Sequence, residues 1–145
     1  MKKLRIVLYC LLVLNCTSCS GFTKSKMDCD IQIVVYVHKN IKTVTSLDIQ
    51  KLLASLNKKC KDNAEFSEFS NEVLFELMVE RTEDVLKIID NTKHKLDREY
   101  LYNNLADPVK DFDLQGIMNK VKVVNCSDAI KKRVIDSLKI AASKN

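Results

Sequence analysis

The sequence predicts an all-α protein, either a small irregular helical bundle or a short α-solenoid of about five to six helices. Three observations carry this. Glycine occurs twice and proline once in 145 residues, whereas sheet-rich domains need more turn punctuation. From residue 46 onward, apolar residues recur three and four apart, the period of one helix face. Hydroxyl, amide or carboxylate residues precede those stretches, where a helix start needs acceptors for its free N–H groups.

The segment 31–44 is the exception. Ile31, Ile33, Val34, Val35, Tyr36 and Val37 form a β-branched, strand-like run. No second strand is apparent for it to pair with, and a lone strand is not stable. Two readings stand: a helix against propensity, or a short hairpin turning near Asn40 and returning over 41–44.

Ser46 is placed to cap the next helix, whose apolar positions Ile49, Leu52, Leu53, Leu56 and Cys60 share one face. Asn63 caps a longer helix carrying Phe66, Phe69, Val73, Leu74, Leu77 and Met78, with Glu65, Glu68, Glu72 and Glu76 opposite. Thr82 opens a third, with Val85, Leu86, Ile88 and Ile89 inward. Asp97 caps a fourth holding Tyr100, Leu101 and Leu105, and Pro108 after Asp107 stops it. Asp113 caps a fifth with Leu114, Ile117, Met118 and Val121. Ser127 caps a sixth with Ile130, Val134, Leu138, Ala141 and Ala142. The starts at Ser46, Thr82 and Ser127 look alike: hydroxyl, early acid, then apolar residue. Helical-hairpin repeats have periods near their spacing, but good helix starts in general share this form.

Residues 1–19 have a different character. Lys2, Lys3 and Arg5 precede an apolar run that is uninterrupted only from residue 6 to 14. That is too short to span a bilayer, which takes about 20 residues, and it fits the core of an export signal. Thr17 and Ser18 lead into Cys19, and Asn15 precedes an alternative, Cys16. Here the chain resembles bacterial lipoproteins, in which a small residue precedes a cysteine that is acylated and becomes the new N-terminus. The resemblance covers these residues alone and defines a class by location. It implies a signal peptide over 1–18, lipid on Cys19 rather than Cys16, a tether over 19–28 and one helical domain over 29–145. Ser20 after the cysteine, rather than Asp, implies the outer membrane, with the domain facing the periplasm.

Composition narrows the function. The 24 basic residues exceed the 19 acidic ones by five, but three of the basic residues lie in the signal, so the remaining 127 residues are only two positive. With charges interleaved, nucleic acid is not an expected partner. Cys29, Cys60 and Cys126 remain outside the signal, as free thiols or as one disulfide plus a spare. No paired CxxC motif marks structural zinc, and no metal or cofactor is expected. Asp107, Asp111 and Asp113 lack the spacing, Gly and closing Glu of an EF-hand loop. His38 and His94 have no partner at helical spacing, and no P-loop, GxSxG or HExxH is present.

The best candidate surface is Glu68, Glu72 and Glu76, four residues apart on one helix face. A face of this kind is either simply solvated or meets a basic partner. The expectation is therefore a non-enzymatic envelope lipoprotein, held to the membrane by its lipid and binding an unidentified protein. The alternative is an immunity or inhibitor protein against an envelope-acting toxin or lytic enzyme.

Overall fold

The computed structural model describes residues 29–91 and 93–144. The signal, Cys16, Cys19 and the tether over 19–28 lie outside the described residues. Seven α-helices are present among those described: α1 (Ile31–Lys39), α2 (Ser46–Ser55), α3 (Ala64–Glu80), α4 (Thr82–Asp90), α5 (Arg98–Leu105), α6 (Leu114–Val123) and α7 (Asp128–Ala142). A 3₁₀ turn, Lys58–Cys60, follows α2. No described helix is long and apolar enough to cross a membrane.

The β-branched run is helix. Asp30 caps α1 by accepting from the N–H of Gln32 at 3.0 Å. Val34 and Val37 are fully buried, and α1 packs on α2 and α3. Burial of those valines outweighs the few tenths of a kcal/mol per residue by which β-branched side chains disfavour a helix. Asn40 ends α1 with its N–H bonded to Tyr36 O and Val37 O, so 41–44 forms a turn and no returning strand.

The helices stack in two rows, α1, α3, α5 and α7 in one and α2, α4 and α6 in the other. Successive layers are joined at a near-constant interval along the chain. Arg81 donates to Val44 O 37 residues away, Ser46 to Asp84 at 38, and Lys58 N–H to Asp97 at 39. Asp90 accepts from Ser127 at 37, and Arg133 meets Glu99 at 34. α4 also reaches α7, so the helices close into a small all-α bundle rather than a strict series of stacked pairs.

Three sequence expectations change at this level. Thr45, not Ser46, caps α2, through a reciprocal box with Asp48. Cys60 falls in the 3₁₀ turn, because α2 stops when Leu56 turns extended. Ser127 precedes α7, but its hydroxyl donates to Asp90 at 2.5 Å and caps nothing. The caps expected at Asn63, Asp97 and Asp113 are in place, accepting from Phe66, Tyr100 and Gly116 N–H.

Helix α3 is the centre of the molecule. It touches α1, α4, α5 and α6, so its burial is not confined to one stripe. Phe66, Val73, Leu74, Phe75, Leu77 and Met78 are all at most 1% exposed. Phe75, off the main apolar face, stacks on Phe112 with centroids 4.8 Å apart. Asn71 is buried among them, and its side chain holds the 104–109 loop. Nδ2 donates to Asn104 O at 2.9 Å and Asp107 O at 3.2 Å, and Oδ1 accepts from Val109 N–H at 3.1 Å.

Cys29 and Cys60 form a disulfide, with Cα atoms 5.6 Å apart. It ties the start of α1 to the end of the α2 turn, beside a 3.4 Å hydrogen bond from Cys29 N–H to Ser55 O. Cys29 has φ 60°, a left-handed backbone that few side-chain-bearing residues adopt.

Candidate functional site

The outward face of α3 carries the predicted carboxylates, and the fold surrounds them with neighbours. Glu65 and Glu68 are exposed, while Glu72 and Glu76 are half-buried. Glu72 pairs with Lys110 from the loop before α6. Glu76 Oε2 lies 2.8 Å from His38 Nδ1 at the end of α1. The His38 ring meets the edge of Phe69 at 5.4 Å. Glu68 and Glu65 have no ion-pair partner among the described residues. The expected acidic face is thus assembled on one side of α3, but half of its charge is answered from α1 and the 106–113 loop.

Shallow grooves flank this face. One of about 330 Å³ is lined by Glu65, Glu68, Phe69, Glu72, Val109 and Lys110. Another of about 440 Å³ is lined by His38, Ile41, Glu76, Val79, Glu80 and Phe112. A third, of about 230 Å³, runs from Glu68 past Tyr100, Asn103 and Asn104. Their walls mix apolar surface with hydrogen-bonding groups. Among the described residues, no three His, Cys, Asp or Glu side chains are placed to hold a metal ion.

His38 sits next to a carboxylate after all, supplied from 38 residues away; helical spacing within one segment could not reveal it. His94 lies half-buried in the connector before α5, with its N–H bonded to Asn91 O. Of the three candidate thiols, Cys29 and Cys60 pair and Cys126 stays free and half-buried. Burial, and then the nearby Asp90 carboxylate, push the Cys126 thiol above its ordinary value, which disfavours the reactive thiolate. Asp107, Asp111 and Asp113 do not converge on a common centre: Asp113 caps α6, and Asp107 pairs with Lys144 at 2.8 Å.

The sequence alone missed a second feature, a cleft of about 380 Å³ between α1 and α2. Ile33, Leu47, Gln50, Lys51 and Ala54 line it, with Asp30 and Ser55 at its end. Leu47, in its lining, is 57% exposed. The signal for it was present as Leu47, Gln50, Lys51 and Ala54, at i, i+3, i+4 and i+7 on a second face of α2.

Comparison with known protein families, curated proteins and solved structures finds no match to this chain.

Proposed function

We propose that the protein is a small lipoprotein of the cell envelope, held by acyl chains on Cys19 and working as a protein-binding or structural module. The domain faces the periplasm from the outer membrane and carries no catalytic machinery. The observation that supports this best is the Cys29–Cys60 disulfide. Disulfides persist in oxidising compartments and are rare in the cytosol. A bridge at the head of the domain, ten residues beyond Cys19, agrees with the export pattern that precedes it. Two or more acyl chains on one cysteine give lasting attachment where a single chain does not.

The grooves beside α3 are the surface this reading assigns to a protein partner. Glu65 and Glu68 offer unanswered charge beside half-exposed Phe69 and exposed Val109, and complementary charge steers association. The test is affinity capture from detergent-solubilised membranes with Glu65→Lys/Glu68→Lys as the comparison. The expected result is a stoichiometric polypeptide held by the wild type and lost from the variant. A partner-free monomer in the same detergent would overturn the binding role.

The same acidic edge favours one second reading, an immunity or inhibitor protein that presents carboxylates to a basic cleft. Co-expression with envelope-acting toxins tests it, with protection that depends on Glu65 and Glu68 as the expected result.

A further inference from the structure

We propose that the exposed face of the α1–α2 hairpin is the surface on which the domain lies against an anionic bilayer. In this arrangement Leu47 and Tyr36 enter the lipid interface and nearby lysines meet the headgroups. The inference rests on the lipid-anchor reading and goes beyond it, because an acyl anchor alone leaves the orientation of the domain undefined.

Three independent observations converge on this face. The first is its position in the stack. α1 and α2 are the end pair, packed on α3 and α4 respectively. Here the hairpin carries a cleft in which Ile33, Leu47 and Ala54 sit beside polar side chains, with no residue of α3 or α4 in its lining. Leu47 is 57% exposed, and Tyr36, 48% exposed, lies one turn along α1 from Ile33. A Tyr ring with its hydroxyl end suits the boundary between lipid and water.

The second is charge. Residues 29–61 hold six lysines and two aspartates, whereas residues 62–145 hold thirteen basic and sixteen acidic side chains. The segment 29–61 is therefore four positive and the rest of the domain three negative, and the hairpin from Ile31 to Ser55 carries two of those positive charges. Lys39 and Lys42, at the turn of the hairpin, are exposed and their ammonium groups have no partner among the described residues, whereas Lys61 lines the groove beside Glu68 and Lys58 sits against the start of α5. Each lysine held near an anionic surface raises partitioning onto it by about five-fold.

The third is where the chain enters. Cys29 is fixed to the end of α2 by its disulfide and by its bond to Ser55 O. Asp30 and Ser55 both line the cleft. The ten residues from Cys19 to Cys29 reach at most about 35 Å, so an anchored domain stays within that distance of the bilayer and the cleft beside Cys29 is within its reach.

The test uses the full chain, made in a host that acylates it and reconstituted into phosphatidylcholine vesicles with or without phosphatidylglycerol. A photoreactive p-benzoylphenylalanine replaces Leu47, or, as the control, Val123, which is 83% exposed on α6. The expected result is a lipid adduct from position 47 and none from 123. That adduct should fall several-fold without phosphatidylglycerol or in a Lys39→Glu/Lys42→Glu background. An adduct to polypeptide at 47, equal lipid adducts at both positions, or no adduct at 47 would overturn the proposal. The acyl mass on Cys19, read from the same sample, reports on the anchor separately. An acylated chain without the adduct refutes this surface only; an adduct on a chain lacking acyl mass keeps the surface and refutes the anchor.

Discussion

Replacing Asn71 should unfasten the loop that closes one side of the domain. Its side chain is 3% exposed and serves three backbone groups of the segment 104–109: two carbonyls and one N–H. Asn71→Ala leaves all three without that partner and a small void beside α3. A buried backbone group left unpaired costs about 1–3 kcal/mol. Asp107 and Val109 are exposed, so water can recover part of this. The net expected loss is about 2–4 kcal/mol, against a total stability on the order of 5–15 kcal/mol. That corresponds to a fall in Tm of roughly 10 °C or more for a domain of this size. Urea unfolding followed by helical circular dichroism, with the disulfide intact, measures it as a lower midpoint at unchanged slope. Hydrogen exchange should show the largest loss of protection in the loop. Asn71→Asp should be worse at neutral pH, since a carboxylate would turn oxygen toward two carbonyl oxygens. Its folded pKa would be raised, so stability should recover as pH falls through that value. An Asn71→Ala variant within about 0.5 kcal/mol of wild type, the scatter of neutral surface changes, would refute the reasoning.

The remaining predictions concern the bridge, a helix start and acid. Cys29→Ser/Cys60→Ser opens a link spanning 31 residues and should lower unfolding free energy by about 3–4 kcal/mol on the chain-entropy estimate; denaturant titration with and without reductant checks it. A Cβ at Gly116 would lie 2.2 Å from Asp113 Oδ2, so Gly116→Ala should displace the cap and forfeit the gain of about 1 kcal/mol that Ala normally brings to a helix. In an Asp113→Ala background the same change should stabilise, and a double-mutant cycle by urea unfolding reads the difference. Asp90 is held below the usual carboxylate range by the Ser127 hydroxyl, then by its N–H; the Thr45 hydroxyl lowers Asp48, and hydrogen bonding from Lys132 lowers Asp136. These groups therefore stabilise the fold fully above their unfolded values, near pH 4, and lose that contribution as pH falls through the folded values. Thermal melts between about pH 5 and pH 2 should show the decline, shallower in Asp90→Asn.

Much of the helical layout is legible in the residues because it depends on local rules. Asn63, Asp97 and Asp113 stand directly before periodic apolar stretches, and each caps its helix. The true cap of α2 was equally local: Thr45 and Asp48 have the capping-box spacing, which the hydroxyl of Ser46 obscures. Helix α1 was ambiguous because its β-branched residues favour strand, and only burial of Val34 and Val37 by other helices decides the matter. Asn71 and Phe75 could not be placed from one helix period, since α3 is covered from several directions. The disulfide was one of three pairings open to three thiols. At the candidate site, Glu68, Glu72 and Glu76 do share a face, but their partners Lys110 and His38 come from 38 residues away. The excess of lysine over residues 29–61 was visible in the sequence, yet the nearly balanced total concealed it until the fold set the first two helices and the 3₁₀ turn apart.

The most direct test of the account is the intact mass of the protein extracted from membranes of its own cell. The account predicts a chain starting at Cys19, heavier by its acyl groups and lighter by the two hydrogens of one disulfide. A chain beginning at Met1, free of acyl mass, with its thiols reduced and recovered from the cytosol, would contradict it.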